Sequence, residues 1–184
     1  MKILIVIDSL GTGGAQTLKG QVAKGLVQSG HQVDIFIYNA RSQFFTQEFL
    51  RAGVSVYAAD KDGAGFSLEV LRELRACIGK KYDVVISSLH APSIYASLAV
   101  LGNRHCKLIV CEESSSYAPV PISKKMAFYF ATLIADAVVV NSYNEAKLMR
   151  ALPGRSRKTH VIWNGCSPGS IPFKPLQKAS IERD

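Results

Sequence analysis

Between Ile7 and Gln16 the chain reads IDSLGTGGAQ, with Gly11, Gly13 and Gly14 crowded between an apolar run and a segment of helical spacing. Glycines there let the backbone turn sharply and bring its N–H groups against an oxygen-rich ligand. The positive end of a following helix adds attraction for phosphate. A dinucleotide, a nucleotide sugar and a purely structural turn would all use such a loop. The dinucleotide fingerprint places a third glycine where helix and strand pack closely. Gln16 holds that position here, and Asp8, Ser9 and Leu10 make the loop longer than a dinucleotide turn. The next apolar run ends in Asn39 and Arg41 rather than in an acid, so only an NADP-type site, using Arg41, stays open on this side.

Further candidates are His90, Glu112 and Glu113, each just after an apolar run. His90 suits a general base or a partner for an acceptor hydroxyl. The paired acids suit sugar hydroxyls or water. Ser87, Ser88, Ser142 and Asn164 complete the polar set at such ends. His31, His105 and His160 precede or open strands and read as structural. The cysteines, Cys77, Cys106, Cys111 and Cys166, have no C-x-x-C spacing. They read as free thiols in a reducing compartment rather than as a zinc site or a redox pair. No metal and no cofactor is expected.

The elements that must position these residues alternate along the chain. KILIVID (2–8) is a continuous β-branched and leucine run, as in a strand buried on both faces. Ala15, Leu18, Val22, Ala23 and Leu26 then recur at helical spacing up to Gly30. Strands are expected at 32–39, 54–59, 82–88, 107–112, 136–142 and 159–165. Helices are expected at 43–52, 67–78, from Pro92 to about Gly102, at 123–134, and from Ser142 toward Leu152. Ser142 and Glu145 form a capping box at the last of these. Strand and helix in regular alternation predict βαβ units, hence an α/β, Rossmann-like, doubly wound and mostly parallel sheet of seven strands. In such a sheet, ligands bind outside the carboxyl ends of the strands, where the candidates above fall.

Composition sets the outer bounds. The 184 residues are 48% hydrophobic and 20% charged, enough for one sizeable core. The N-terminal apolar run is too short for a secretion signal, and no run approaches a membrane span. The expected address is the cytoplasm. The net charge of +8 is uneven, with +6 between Lys147 and Asp184. That end suits phosphate, an anionic membrane surface or nucleic acid, or is a solvated face. Lys124 and Lys125 lead into a stripe of Met126, Tyr129, Phe130, Leu133 and Ile134. The stripe reads first as core packing and second as a membrane-surface element.

Several segments together resemble Glycosyltransferase Family 4, the group-1 glycosyltransferases. Gly13-Gly14-Ala15-Gln16 and Gly30-His31-Gln32-Val33 resemble its opening loop and second strand. YDVVISSLHAP, ADAVVVNSYNEAKLM (with Asp136 and Ser142) and HVIWNG resemble later segments in the same order, up to about Gly165. The resemblance implies the GT-B architecture, two Rossmann-like domains facing a cleft, with residues 1–166 as the acceptor-side domain. Residues 167–184 would be the linker toward a C-terminal donor-binding domain absent from this chain, as is that domain's glutamate pair. It implies a retaining transferase that moves a sugar from a nucleotide-diphosphate sugar to a hydroxyl acceptor, lipid-linked or saccharide, in cell-surface polysaccharide or glycolipid synthesis. Gly13, Gly14, Ala15 and Gln16 would lie near the donor phosphate. Ser87, Ser88, Glu112, Glu113, Ser142 and Asn164 would be on the acceptor side, with His90 as the catalytic candidate. The family often has a histidine at the tip of strand four, whereas here the tip holds Ser87 and Ser88. An anionic membrane surface is an expected contact and nucleic acid is not. An NADP-dependent oxidoreductase and a non-catalytic binding module are the alternatives.

Overall fold

The computed structural model describes residues 1–40, 46–61, 63–79, 82–103, 105–113 and 121–165. Seven strands, β1 (Lys2–Val6), β2 (Gln32–Ile37), β3 (Ser55–Ala58), β4 (Val84–Ser88), β5 (Lys107–Glu112), β6 (Ala137–Val140) and β7 (Thr159–Val161), form one sheet. Their order is β3-β2-β1-β4-β5-β6-β7, and every pairing is parallel. The connections carry α1 (Gly14–Gln28), α2 (Thr46–Arg51), α3 (Leu68–Ile78), α4 (His90–Val100), α5 (Ile122–Ile134) and α6 (Tyr143–Arg150). The order reverses between β1 and β4, and the crevice at that switch point is where a doubly wound sheet takes its ligand.

The apolar runs are continuous because both faces of the sheet are covered. Ile3, Ile5 and Ile7 point to one side, where they meet Ala23 of α1 and Phe49 of α2. Leu4 and Val6 point to the other, into a larger cluster with Leu74, Tyr95, Phe128 and Met149 from α3 to α6. Gly20 is demanded by close approach, since a Cβ there would overlap the Phe49 ring. Two aspartates set the lower edge of the sheet. Asp83 Oδ2 accepts from the Lys2 N–H at 2.7 Å, and Asp136 Oδ2 accepts from the Leu108 N–H at 2.9 Å.

Several expectations need adjustment. The strands are shorter by a residue or more at most ends. The helix expected to start at Pro92 starts at His90, with Pro92 inside its first turn, where proline is tolerated. In α3, Leu68 is exposed and Val70 is buried instead. The α5 stripe divides. Tyr129 and Ile134 pack against the core, whereas Met126, Phe130 and Leu133 face outward; the buried residues of the helix are Phe128, Ala131 and Thr132. Of the α2 helix expected at 43–52, residues 43–45 lie outside the described residues. So do Arg41, Cys166 and the expected linker at 167–184.

Candidate functional site

A cavity of about 810 Å³ opens at the carboxyl ends of β1, β2 and β4, astride the switch point. Asp8 is among the residues that line it. The Asp8 carbonyl accepts from the Tyr38 and Asn39 N–H groups at 3.2 and 2.8 Å, tying the ends of β1 and β2 together. Its carboxylate accepts from the Ser9 N–H at 2.8 Å and from Gln16 Nε2 at 3.0 Å. Gln16 thus links the first turn of α1 to the strand end. A Cβ at Gly13 would meet the tip of the folded-back Gln16 amide, which would have to swing aside. Gly14 differs, because nothing stands within 4 Å of where its Cβ would be. No side chain caps α1, and its first turn holds no acid. Gly13, Gly14, Ala15 and Gln16 are themselves not among the residues that line the cavity.

The wall of the cavity is aromatic. Phe66 stacks on Tyr95 with ring centroids 4.9 Å apart and planes 13° apart, and Tyr38 tilts against Tyr95 at 5.1 Å. The Tyr95 hydroxyl accepts from the Ser67 N–H at 2.7 Å, which anchors the start of α3. Burial, with the Asp8 charge adding to it, pushes the Tyr38 phenol well above its ordinary value, so it stays protonated. Lys61 and Lys124 bring positive charge to the rim.

His90 is the first residue of α4 and lines the same cavity. Leu89, which delivers it, has φ 73° and ψ 161° and is the only non-glycine residue with positive φ among those described. Backbone in that region is costly for a leucine and is retained where the surroundings hold it, as at functional sites. His90 Nε2 stands 3.5 Å from Glu112 Oε2, and its ring meets Phe128 edge-on at 4.5 Å.

The two acids do not act as a pair. Consecutive residues at an extended end point to opposite sides. Glu112 faces His90, whereas Glu113 turns to the α1 side and meets Lys19 Nζ at 2.5 Å, with both side chains nearly buried. Burial works against the Lys19 charge, but the Cys111 sulfur and the Glu113 carboxylate outweigh it and hold the ammonium above its ordinary value. Burial pushes the Cys111 thiol up. This group ties α1 to the end of β5. Lys19 lies four residues after Ala15 on the apolar stripe of α1, a position where a lysine signals a buried partner.

The structure separates the remaining candidates. Ser87 and Ser88 are fully buried, and Ser87 Oγ donates to Ser93 Oγ at 3.1 Å. Ser142 caps α6, its Oγ accepting from the Glu145 N–H at 3.2 Å, which is the serine half of the capping box. Asn164 is exposed beside Trp163, whose ring meets Tyr143 edge-on at 5.5 Å. None of these four lines the cavity. Tyr38, Phe66, Tyr95 and Lys61 do, and sequence reasoning did not single them out, since aromatic residues near strand ends read equally well as core. No group of three or more His, Cys, Asp or Glu arranged for a metal occurs among the described residues.

Fold and site together define a Rossmann-like domain of the GT-B glycosyltransferase type. A profile of Glycosyltransferase Family 4 matches residues 12–169, and the chain belongs to that family. No curated protein matches it in sequence. In fold it is similar to HepE of Anabaena, solved in complex with UDP and glucose, with a TM-score of 0.74 at 18% identity over 90% of this chain and 45% of that one. It is similar also to the lipopolysaccharide outer core galactosyltransferase WaaB, with a TM-score of 0.68 at 16% identity over 93% of this chain and 48% of that one. A glycosyltransferase from Rickettsia africae matches with a TM-score of 0.63 at 19% identity over 88% of this chain and 42% of that one. The chain spans less than half the length of each of these proteins.

Proposed function

We propose that this chain is the acceptor-side half of a retaining glycosyltransferase, moving a hexosyl group from a nucleotide-diphosphate sugar to a hydroxyl acceptor. The observation that carries the reading is the place of the cavity, at the carboxyl ends of β1, β2 and β4. A second, donor-binding domain would hold the nucleotide sugar, and the Gly13 and Gly14 side of α1 would meet its diphosphate across the cleft. Backbone N–H groups aimed at the departing diphosphate stabilise charge as it develops, without reorganising at the moment of reaction. The acceptor would occupy the cavity, a saccharide or lipid-linked sugar with its ring against Phe66 and Tyr95. His90, oriented by Glu112 and Phe128, would hold the reacting hydroxyl. The donor is substrate, and the reading includes no metal or cofactor. The cellular role would be polysaccharide or glycolipid synthesis in the cytoplasm, at the membrane face. Family membership favours this over the NADP-dependent oxidoreductase.

The test uses radiolabelled nucleotide sugars and NADPH. The 184-residue chain alone is expected to transfer and hydrolyse nothing and to leave NADPH fluorescence unchanged. Joining it to a family donor-binding domain is expected to produce transfer that Phe66→Ala weakens through acceptor KM. Turnover by the chain alone would refute the half-enzyme reading, and tight NADPH binding would refute the transferase reading.

A further inference from the structure

We propose that the cavity selects an acceptor saccharide carrying an anionic group, a carboxylate or a phosphate, and that Lys61 and Lys124 make the selection. Both lysines line the cavity. They come from different connections, Lys61 from beyond the end of β3 and Lys124 from the first turn of α5. Among the described residues the lining holds one acid, Asp8, and its carboxylate already accepts from the Ser9 N–H and from Gln16 Nε2. Glu112 is turned to His90 and Glu113 to Lys19. Neither Lys61 nor Lys124 has a carboxylate partner among the described residues. The cavity is thus left with positive charge that no described acid neutralises.

Lys61 is held at both ends. Its N–H donates to the Tyr38 carbonyl at 3.2 Å, which ties it to the end of β2. Its Nζ donates to the Gly63 carbonyl at 3.1 Å. Gly63 has φ 72°, a conformation that glycine takes without steric cost, and the turn there lets its carbonyl meet the lysine. A carbonyl positions an ammonium without cancelling its charge, and lysine has further N–H donors for a ligand. The same connection carries Phe66, whose ring stacks on Tyr95 with centroids 4.9 Å apart. It therefore supplies a flat apolar surface for one face of a sugar ring and a fixed cation on the same lining. A neutral sugar would leave both ammonium groups without an anionic partner, whereas a uronate or a sugar phosphate would make charge-assisted hydrogen bonds to them. The donor diphosphate is a poorer match, because the Gly13–Gln16 residues assigned to it do not line this cavity. Calling the bearer of the anion the acceptor rests on the transferase reading, whereas selection by charge can be measured without transfer.

The experiment is an NMR titration of the 184-residue chain with methyl glucuronide, methyl glucoside, a glucose monophosphate and UDP, at low and high salt, following the Phe66 and Tyr95 rings. At low salt at least one of the two anionic sugars is expected to bind at least about tenfold more tightly than the glucoside. Salt should shrink that advantage, and the tighter of the two tells carboxylate from phosphate. Lys61→Gln and Lys124→Gln should each remove most of the advantage, and Lys61→Arg should keep it. Lys147→Gln, at an exposed lysine of α6 outside the cavity lining, should change nothing. Circular dichroism of each variant establishes that it is folded. Equal affinity for the glucoside and the anionic sugars would overturn the proposal, as would no binding of any sugar. Equal loss in Lys147→Gln would also overturn it, assigning the effect to the net charge of +8. So would UDP binding at the same rings that outcompetes the sugars and is lost with the two lysines, which would assign them to the donor. Absence of transfer by the joined two-domain enzyme, with the lysine-dependent preference intact, would strike the transferase reading and leave the charge selection standing.

Discussion

Neighbouring residues of one type do different work in this molecule, and the difference is set by what stands beside each. Gly13 has ordinary extended backbone, φ −79° and ψ 159°, and a side chain there would have to displace the Gln16 amide from its place. Gly14 has neither a positive φ nor a neighbour, so nothing within the described structure demands glycine there. A ligand approaching the α1 terminus would. Gly14→Ala is therefore expected to stabilise the isolated chain by about 0.4–1 kcal/mol, measured by urea unfolding, because alanine loses less freedom on folding. In the joined two-domain transferase the same methyl should cut kcat/KM for the donor at least about tenfold by displacing the diphosphate. A gain in stability without loss of donor use would detach Gly14 from the phosphate. Glu112 and Glu113 show the same lesson, since adjacency in sequence put one beside His90 and the other beside Lys19.

At the scale of elements, the aspartate before β6 turns out to hold sheet register. Burial alone would raise the Asp136 carboxyl, but the Leu108 N–H and the Lys107 ammonium outweigh it and hold it below its ordinary value. A carboxyl depressed in the folded state contributes stability above its unfolded value of about 3.9. That contribution is lost as pH falls through the lower folded value. Asp136→Asn should thus destabilise the chain by roughly 0.5–1 kcal/mol at pH 7, a modest amount because the side chain is part exposed. The gap from the unsubstituted chain should close as urea titrations are carried below about pH 4. A gap independent of pH would show that shape rather than charge matters at this position. Asp83 makes the equivalent bond to β1, so the device is used twice along the lower edge. Strand and helix order was legible from periodicity, yet boundaries were not. Leu89 illustrates why: its φ of 73° lets α4 begin at His90, and no leucine announces such a conformation in advance.

Across the whole molecule, one sheet separates two apolar layers that share its strands, Ile3 and Ile5 feeding one and Leu4 and Val6 the other. Neither layer can open without exposing the other side of the same strands. Phe49→Ala in the α1–α2 layer and Leu74→Ala in the α3–α6 layer should each lower stability by about 2–5 kcal/mol. Each should shift a single transition, with fluorescence and circular dichroism coincident. Separate transitions for the two layers would contradict this.

By itself the sequence determined the α/β alternation, the seven strands, the glycine loop at the first strand end and the family resemblance, because these rest on local spacing and on residue types that act within a few positions. Tertiary structure decided which side chains share the cavity. Tyr38, Phe66, Tyr95 and His90 come from three separate connections, and only the strand order β3-β2-β1-β4 brings those strand ends side by side. It also decided that Met126, Phe130 and Leu133 of α5 face outward while Phe128 and Ala131 meet the core, since a helical period reveals that two faces are apolar but not which of them meets the sheet.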